Sequence, residues 1–332
     1  MTIEETQNPL VFVECMTFNH ANYIEDAMKG FVIQQTEFPF VVSVMDDAST
    51  DGEPEVIKRF LEKEFDMDSA ITHETEDRIR VVARHKTNEN CIFLVLYLKY
   101  NHYSIQKPKW KYFWNWRKNA KYIALCEGDD YWIDPLKLQK QVDFLEEREG
   151  YSLCCSKAKV FVQEKLAFEG EKGSRDCEAY DSIIRGYNDI NTASAVFDNA
   201  MFHRCWKELE SFLPSELRID TAIWYWFARN GKIKFFDDCL SVYRVLPNSA
   251  CHSTNQEKRL QNDLDFIKLK LFFLSHYPLE DAESNGAFIS VLMEEIKSVC
   301  DFARYLGEQK VRQTKAFEIG NRIKRFLPLN LK

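Results

Sequence analysis

YIALCEGDDYWIDP, residues 122–135, is the stretch on which the fold turns. An apolar run of β-formers stops abruptly at Glu127-Gly128-Asp129-Asp130, and Pro135 then opens the amphipathic run LKLQKQVDFLEERE, residues 136–149. A strand that ends on charged residues and passes directly into a helix is the repeating unit of an open parallel sheet. In such sheets the ligand lies beyond the carboxyl ends of the strands.

Upstream, the same grammar recurs twice. LVFVECM (residues 10–16) stops at Thr17-Phe18-Asn19-His20, and Ile24, Ala27, Met28, Phe31 and Val32 then fall on one helical face. FPFVVSVM (residues 38–45) ends in Asp46-Asp47-Ala48-Ser49-Thr50-Asp51-Gly52, and Pro54 opens a second amphipathic helix through Ile57, Phe60 and Leu61. Residues 80–84 read as a further short strand, and residues 152–162 and 232–245 as extended segments. Within residues 85–119, NCIFLVLYLKYNHY admits helix or strand, with helix preferred, and KPKWKYFWNWRKN is dense in aromatics and bases. From Gln256 the pattern turns to long helical stretches, with Pro278 and Gly286 expected to break them. The expectation is therefore an α/β domain over residues 1–250 and a C-terminal helical extension with a basic tail over residues 251–332.

Composition narrows the function classes. The 332 residues are 45% hydrophobic, enough for a large core, and the formal net charge of −8 argues against general nucleic-acid binding. No long uncharged apolar run occurs, and the start MTIEETQNPL resembles no signal peptide, so a cytoplasmic protein is expected. The ten cysteines show no CxxC spacing and read as reduced, mostly buried thiols. Residues 310–332 hold seven bases against Glu318, so this tail is a candidate for peripheral contact with the inner face of a membrane, or a solvated helix.

Three carboxylates in four residues repel one another unless a cation holds them. Glu127 and Asp129 present oxygens to one side of a turn, which suits a hard divalent ion that shares its remaining positions with phosphates. The plainer reading is an acidic loop that caps the following helix. Asp46 and Asp47 could accept from a base N–H or a ribose hydroxyl, or could form a capping turn. With Thr17 and Asn19, these loops end three strands in an arrangement that makes one site. The remaining histidines lack paired-ligand spacing, and the aromatics at Trp110, Tyr112, Phe113, Trp114 and Trp116 read as packing residues.

MTFNHANYIEDAMKGFVIQQ (residues 16–35), VVSVMDDASTDG (residues 41–52) and YIALCEGDDYWIDPLKLQKQVDFLEE (residues 122–147) resemble the motifs of family 2 glycosyltransferases. A looser likeness continues through NTASAVFDNAMF and LRIDTAIWYWFARNGKIKFFDDCLSVYR, to about residue 245. The resemblance implies a GT-A-like three-layer αβα domain with a mostly parallel central sheet. It also implies a UDP-, dTDP- or GDP-sugar donor, Mg²⁺ or Mn²⁺, and transfer with inversion to a glycan or lipid-linked acceptor, in bacterial surface glycan assembly. Asp47 matches the aspartate that contacts the base, with Thr17 and Asn19 lining its pocket and Asp46 beside it. Asp129 matches the principal metal ligand, while Glu127 stands where the family has its first aspartate and is expected at ribose or metal-bound water.

Asp220 matches the general base, which must take the acceptor hydroxyl's proton on the side opposite the departing diphosphate. Read locally, Asp220 is an N-cap for the helix over residues 221–229. Its flanks depart from the family's pattern, with Ile219 and Thr221 in place of glycine and tryptophan, and Leu246 stands where many relatives have histidine. No QxxRW motif follows, which favours transfer of a single sugar. Two other readings remain: a binder of nucleotide-sugars that turns nothing over, and a glycoside hydrolase built on carboxylate pairs.

Overall fold

The computed structural model describes residues 8–186, 190–211, 219–247 and 256–305. The basic tail at residues 310–332 lies outside the described residues. The elements run β1 (Val11–Thr17), α1 (Ile24–Val32), β2 (Phe40–Asp46), α2 (Glu53–Glu64), β3 (Phe65–Glu74), β4 (Arg78–His85), β5 (Cys91–Leu98), α3 (Trp114–Arg117), β6 (Tyr122–Leu125) and β7 (Tyr131–Trp132). After them come α4 (Lys137–Glu147), β8 (Tyr151–Val162), β9 (Ala167–Lys172), α5 (Tyr180–Arg185), β10 (Val196–Asp198), α6 (Asn199–Glu210), α7 (Ile219–Asn230), β11 (Lys232–Val245), α8 (Gln256–His276) and α9 (Ala282–Tyr305).

The strands form one sheet in the order β3-β4-β5-β2-β1-β6-β10-β8-β11-β7, with β9 paired to β8. Its centre, β5-β2-β1-β6, is parallel throughout. Strands β3 and β4 extend one side antiparallel, and β10 joins β6 to β8 antiparallel on the other. Every residue of β2 is buried, as expected of a strand covered on both faces. Alternate residues of β1 feed two cores: Val11, Val13 and Cys15 pack with α1, α2 and α4, while Phe12 faces the core shared with α5, α6, α7 and α8. That is a three-layer αβα architecture.

Two expectations change and one is extended. The stretch left open between helix and strand, with helix preferred, within residues 85–119 contains β5, because a strand buried on both faces shows no period of two and so looks like a buried helix segment. The short strand expected over residues 80–84 is present within β4, which pairs antiparallel with β3, a strand outside the expectation. Gly286 lies inside α9 and breaks nothing, so the turn between the last two described helices falls near Pro278.

Strand β7 lies against α1, where a Cβ on Gly30 would stand 2.7 Å from the Trp132 backbone nitrogen. Only glycine permits this approach. The helical extension is bolted to the sheet's helices: Phe273 packs edge-on against Tyr225 at 5.4 Å, and Tyr180 donates to the Tyr277 carbonyl at 2.8 Å. Among the described residues no helix is long and apolar enough to cross a membrane. The nine described cysteines are free, and seven of them are buried.

Candidate active site

The loops after β1, β2 and β6 meet because their strands are neighbours in register. Thr17 pairs with Asp46 across β1 and β2, and the Gly128 amide donates to the Met16 carbonyl at 3.0 Å. A Cβ on Gly128 would stand 2.2 Å from Thr17 Oγ1, so the acidic loop lies directly against the end of β1.

Glu53, fully buried at the start of α2, ties the first two loops together. Its carboxylate accepts from Thr17 Oγ1, from the His20 amide at 2.8 Å and from Ser49 Oγ at 2.8 Å. Asn19 completes the seam: its amide donates to Ser49 Oγ at 2.8 Å, its Oδ1 accepts from the Thr50 amide at 2.9 Å, and its φ is 56°. Asparagine tolerates that left-handed conformation better than most residues. The polar atoms of Thr17 and Asn19 therefore shape the pocket by joining its loops.

Asp46 and Asp47 divide their tasks. Asp46 Oδ1 accepts from the Ser49 amide at 3.1 Å, the capping-turn arrangement, and burial pushes its carboxyl up to about 6. Asp47 is 2% exposed and accepts three donors from the loop after β5: the His102 amide at 2.7 Å, the Tyr103 amide at 3.0 Å and Lys109 Nζ at 3.0 Å. A carboxylate has about four lone-pair sites, and three of those of Asp47 are thus taken within the fold.

The loop after β6 is different. Among the described residues nothing donates a hydrogen bond to the Asp129 carboxylate. Asp130 is buried, takes the Arg244 amide at 2.8 Å, and is pushed well above the usual carboxylate range by burial and by Asp129 and Glu127. Burial, Asp129 and Asp220 push the half-buried Glu127 up to about 7. The Asp220 charge thus reaches Glu127, although 93 positions separate them in the chain. Asp220 itself lies in the first turn of α7, half-buried, rather than ahead of the helix as an N-cap.

Among the described residues no three His, Cys, Asp or Glu side chains converge as a metal site. Glu127 and Asp129 still suit Mg²⁺ or Mn²⁺, because such ions bind through one or two carboxylates and complete their shell with water and substrate phosphates. Asp130 is already committed to the Arg244 amide.

Several contributors escaped the sequence reading. Glu53 was legible only as an acid in a helix's first turn. Lys172 on β9, whose charge opposes those of Glu127 and Asp130, gave no signal. Arg244 is committed elsewhere: it donates to Asp26 Oδ2 at 2.9 Å and lies over the Tyr23 ring at 4.8 Å.

No family model matches the sequence. The solved structure of S. aureus TarS residues 1–349 with UDP superposes with a TM-score of 0.50 at 15% identity, covering 91% of this chain and 76% of that one. The fold is that of the GT-A glycosyltransferases. An uncharacterized protein of Mycobacterium tuberculosis is 26% identical over 250 residues, which is 74% of this chain and 61% of the relative, so the match spans about three-fifths of that protein's length. The Bacillus subtilis putative teichuronic acid biosynthesis glycosyltransferase TuaG is 25% identical over 260 residues, 75% of this chain and 84% of TuaG. Glycosyltransferase function is thus attached to proteins related to this one.

Proposed function

We propose that this protein moves one sugar from a nucleotide-diphosphate sugar to an acceptor hydroxyl with inversion, in the assembly of a cell-envelope glycan. The observation that supports the reading is the convergence of the loops after β1, β2 and β6, with Asp47, Glu127 and Asp129, at the ends of the sheet's central strands. Similarity to TuaG supports the glycan context.

In this reading Asp47 fixes the nucleotide base, with Thr17, Asn19 and Asp46 holding the pocket's shape. Glu127 and Asp129 would hold Mg²⁺ or Mn²⁺, which when bound neutralises charge on the diphosphate. Asp220 takes the acceptor's proton as its oxygen bonds to the anomeric carbon. The sugar's bond to the diphosphate breaks, and the nucleoside diphosphate leaves with the electron pair. Residues 1–250 form the transfer unit and residues 251–332 an extension, of which α8 packs against α7 and the following Tyr277 donates to Glu208 of α6.

The test is a thermal-shift series with UDP, dTDP, GDP and CMP, each with and without Mn²⁺, on wild type and Asp129→Ala. A ligand that binds only the folded state raises the melting temperature. The expected result is a metal-dependent shift with one nucleoside diphosphate that Asp129→Ala loses. No shift with any nucleotide would overturn the donor-site reading.

A further inference from the structure

We propose that the segment joining β5 to β6, residues 99–120, docks this protein on an anionic lipid surface. The segment holds six bases and no acid, in a chain whose net charge is −8. It also carries the most exposed aromatic side chain among the described residues. Tyr103 is 82% exposed, Ile105 57% and Trp110 53%, three apolar tips within eight positions.

Four of the six bases are committed within the fold: Lys99 to Glu74, Lys107 to Asp77, Lys109 to Asp47 and Arg117 to Glu14. Lys111 and Lys118 are exposed, and among the described residues neither has a carboxylate partner. Lys111 lies against the Tyr112 ring at 5.0 Å. Amphipathic rings beside unpaired ammonium groups suit the headgroup boundary of a bilayer, where the ring sinks and the cation meets lipid phosphate. A platform for sugars would offer carboxylates to hydroxyl pairs, and the segment has none. Ile105 has no flat face to stack on a sugar ring, whereas hydrocarbon accommodates it directly.

The tips are also held in place before any encounter. Asp47 fixes the His102 and Tyr103 amides, His102 Nε2 and the Tyr112 hydroxyl lie 2.8 Å apart, and that hydroxyl donates to Asp77 Oδ2 at 2.7 Å. A segment ordered in advance loses little entropy on docking. Because the same amides contact Asp47, docking would bring the proposed donor site against the bilayer. This suits a lipid-linked acceptor, a consequence that rests on the transfer reading.

The experiment is sedimentation of the full chain with vesicles of phosphatidylcholine alone or mixed with phosphatidylglycerol. It compares wild type, the double variant Ile105→Glu/Trp110→Glu and the double variant Lys111→Glu/Lys118→Glu. Wild type should pellet with the mixed vesicles only, and each double variant should bind on the order of tenfold more weakly or less, with an unchanged melting temperature and an unchanged nucleotide shift. Failure of wild type to pellet, or variants that pellet like wild type, would overturn the proposal. So would binding to soluble polygalacturonate with none to vesicles, which would assign the surface to a glycan. Vesicle binding without any nucleotide shift would leave the docking intact and remove only the transfer reading.

Discussion

The two acidic loops at the strand ends, Asp46-Asp47 after β2 and Glu127-Gly128-Asp129-Asp130 after β6, look alike in sequence and behave differently in the fold. Asp47 is surrounded by donors, two backbone amides and an ammonium. Glu127 and Asp129 crowd together with Asp130, and Asp220 adds its charge. A carboxylate whose charge is already answered is part of the frame. One left among like charges is arranged for a ligand that arrives with positive charge, or for a proton.

Removing a carboxylate should therefore have opposite consequences in the two loops. Asp129→Ala is expected to lower turnover on the order of 10²–10³-fold while leaving the urea midpoint unchanged or raised, since it relieves repulsion. Retained activity would erase the contrast. Asp220→Asn removes the proposed proton acceptor but keeps the shape, and should cost about 10²-fold in kcat with nucleotide binding preserved. Full transfer by this variant would return Asp220 to a purely structural role.

Asp47→Ala goes the other way. It strands two amides and Lys109, so chemical denaturation should report a loss of about 1–3 kcal/mol, together with weaker nucleotide binding. Gly128→Ala sharpens the comparison at the seam between the loops, because its methyl would collide with Thr17 Oγ1. A loss of about 1–3 kcal/mol is expected, and a variant as stable as wild type would mean that the loop is not pinned to β1.

The smallest effect concerns a cation on α4, the helix that follows the acidic loop. Lys137 is fully buried, donates to Gln141 Oε1 at 2.8 Å, and burial lowers its ammonium to about 7. Between pH 7 and the unfolded lysine's ordinary range near 10.5, the unfolded chain binds more protons, so this group makes stability rise with pH. Lys137→Met should lack that rise, and its melting-temperature advantage over wild type should shrink from pH 7 toward pH 10. Parallel pH profiles for the two proteins would contradict the burial argument.

Much of the central fold was legible because each strand, its polar stop and the helix after it are adjacent in the chain. Strands β1, β2 and β6 and helices α1, α2 and α4 all follow from local apolar periodicity and from turn and proline signals. The residues ending those strands could be nominated on the same grounds, and the family resemblance added roles that composition could not. Strand β5 stayed open between helix and strand because burial on both faces erases the alternation that marks a strand.

What the sequence determined alone was the set of strand-end loops and their chemistry, since strand, stop and helix lie within a few residues of one another. Tertiary structure decided which of those carboxylates would be satisfied. Asp47 meets its donors 55 to 62 positions away, and Glu53 joins a loop 36 positions before it. Such partners leave no local periodicity, because a hydrogen bond or a Coulomb interaction depends on distance in space and not on separation along the chain.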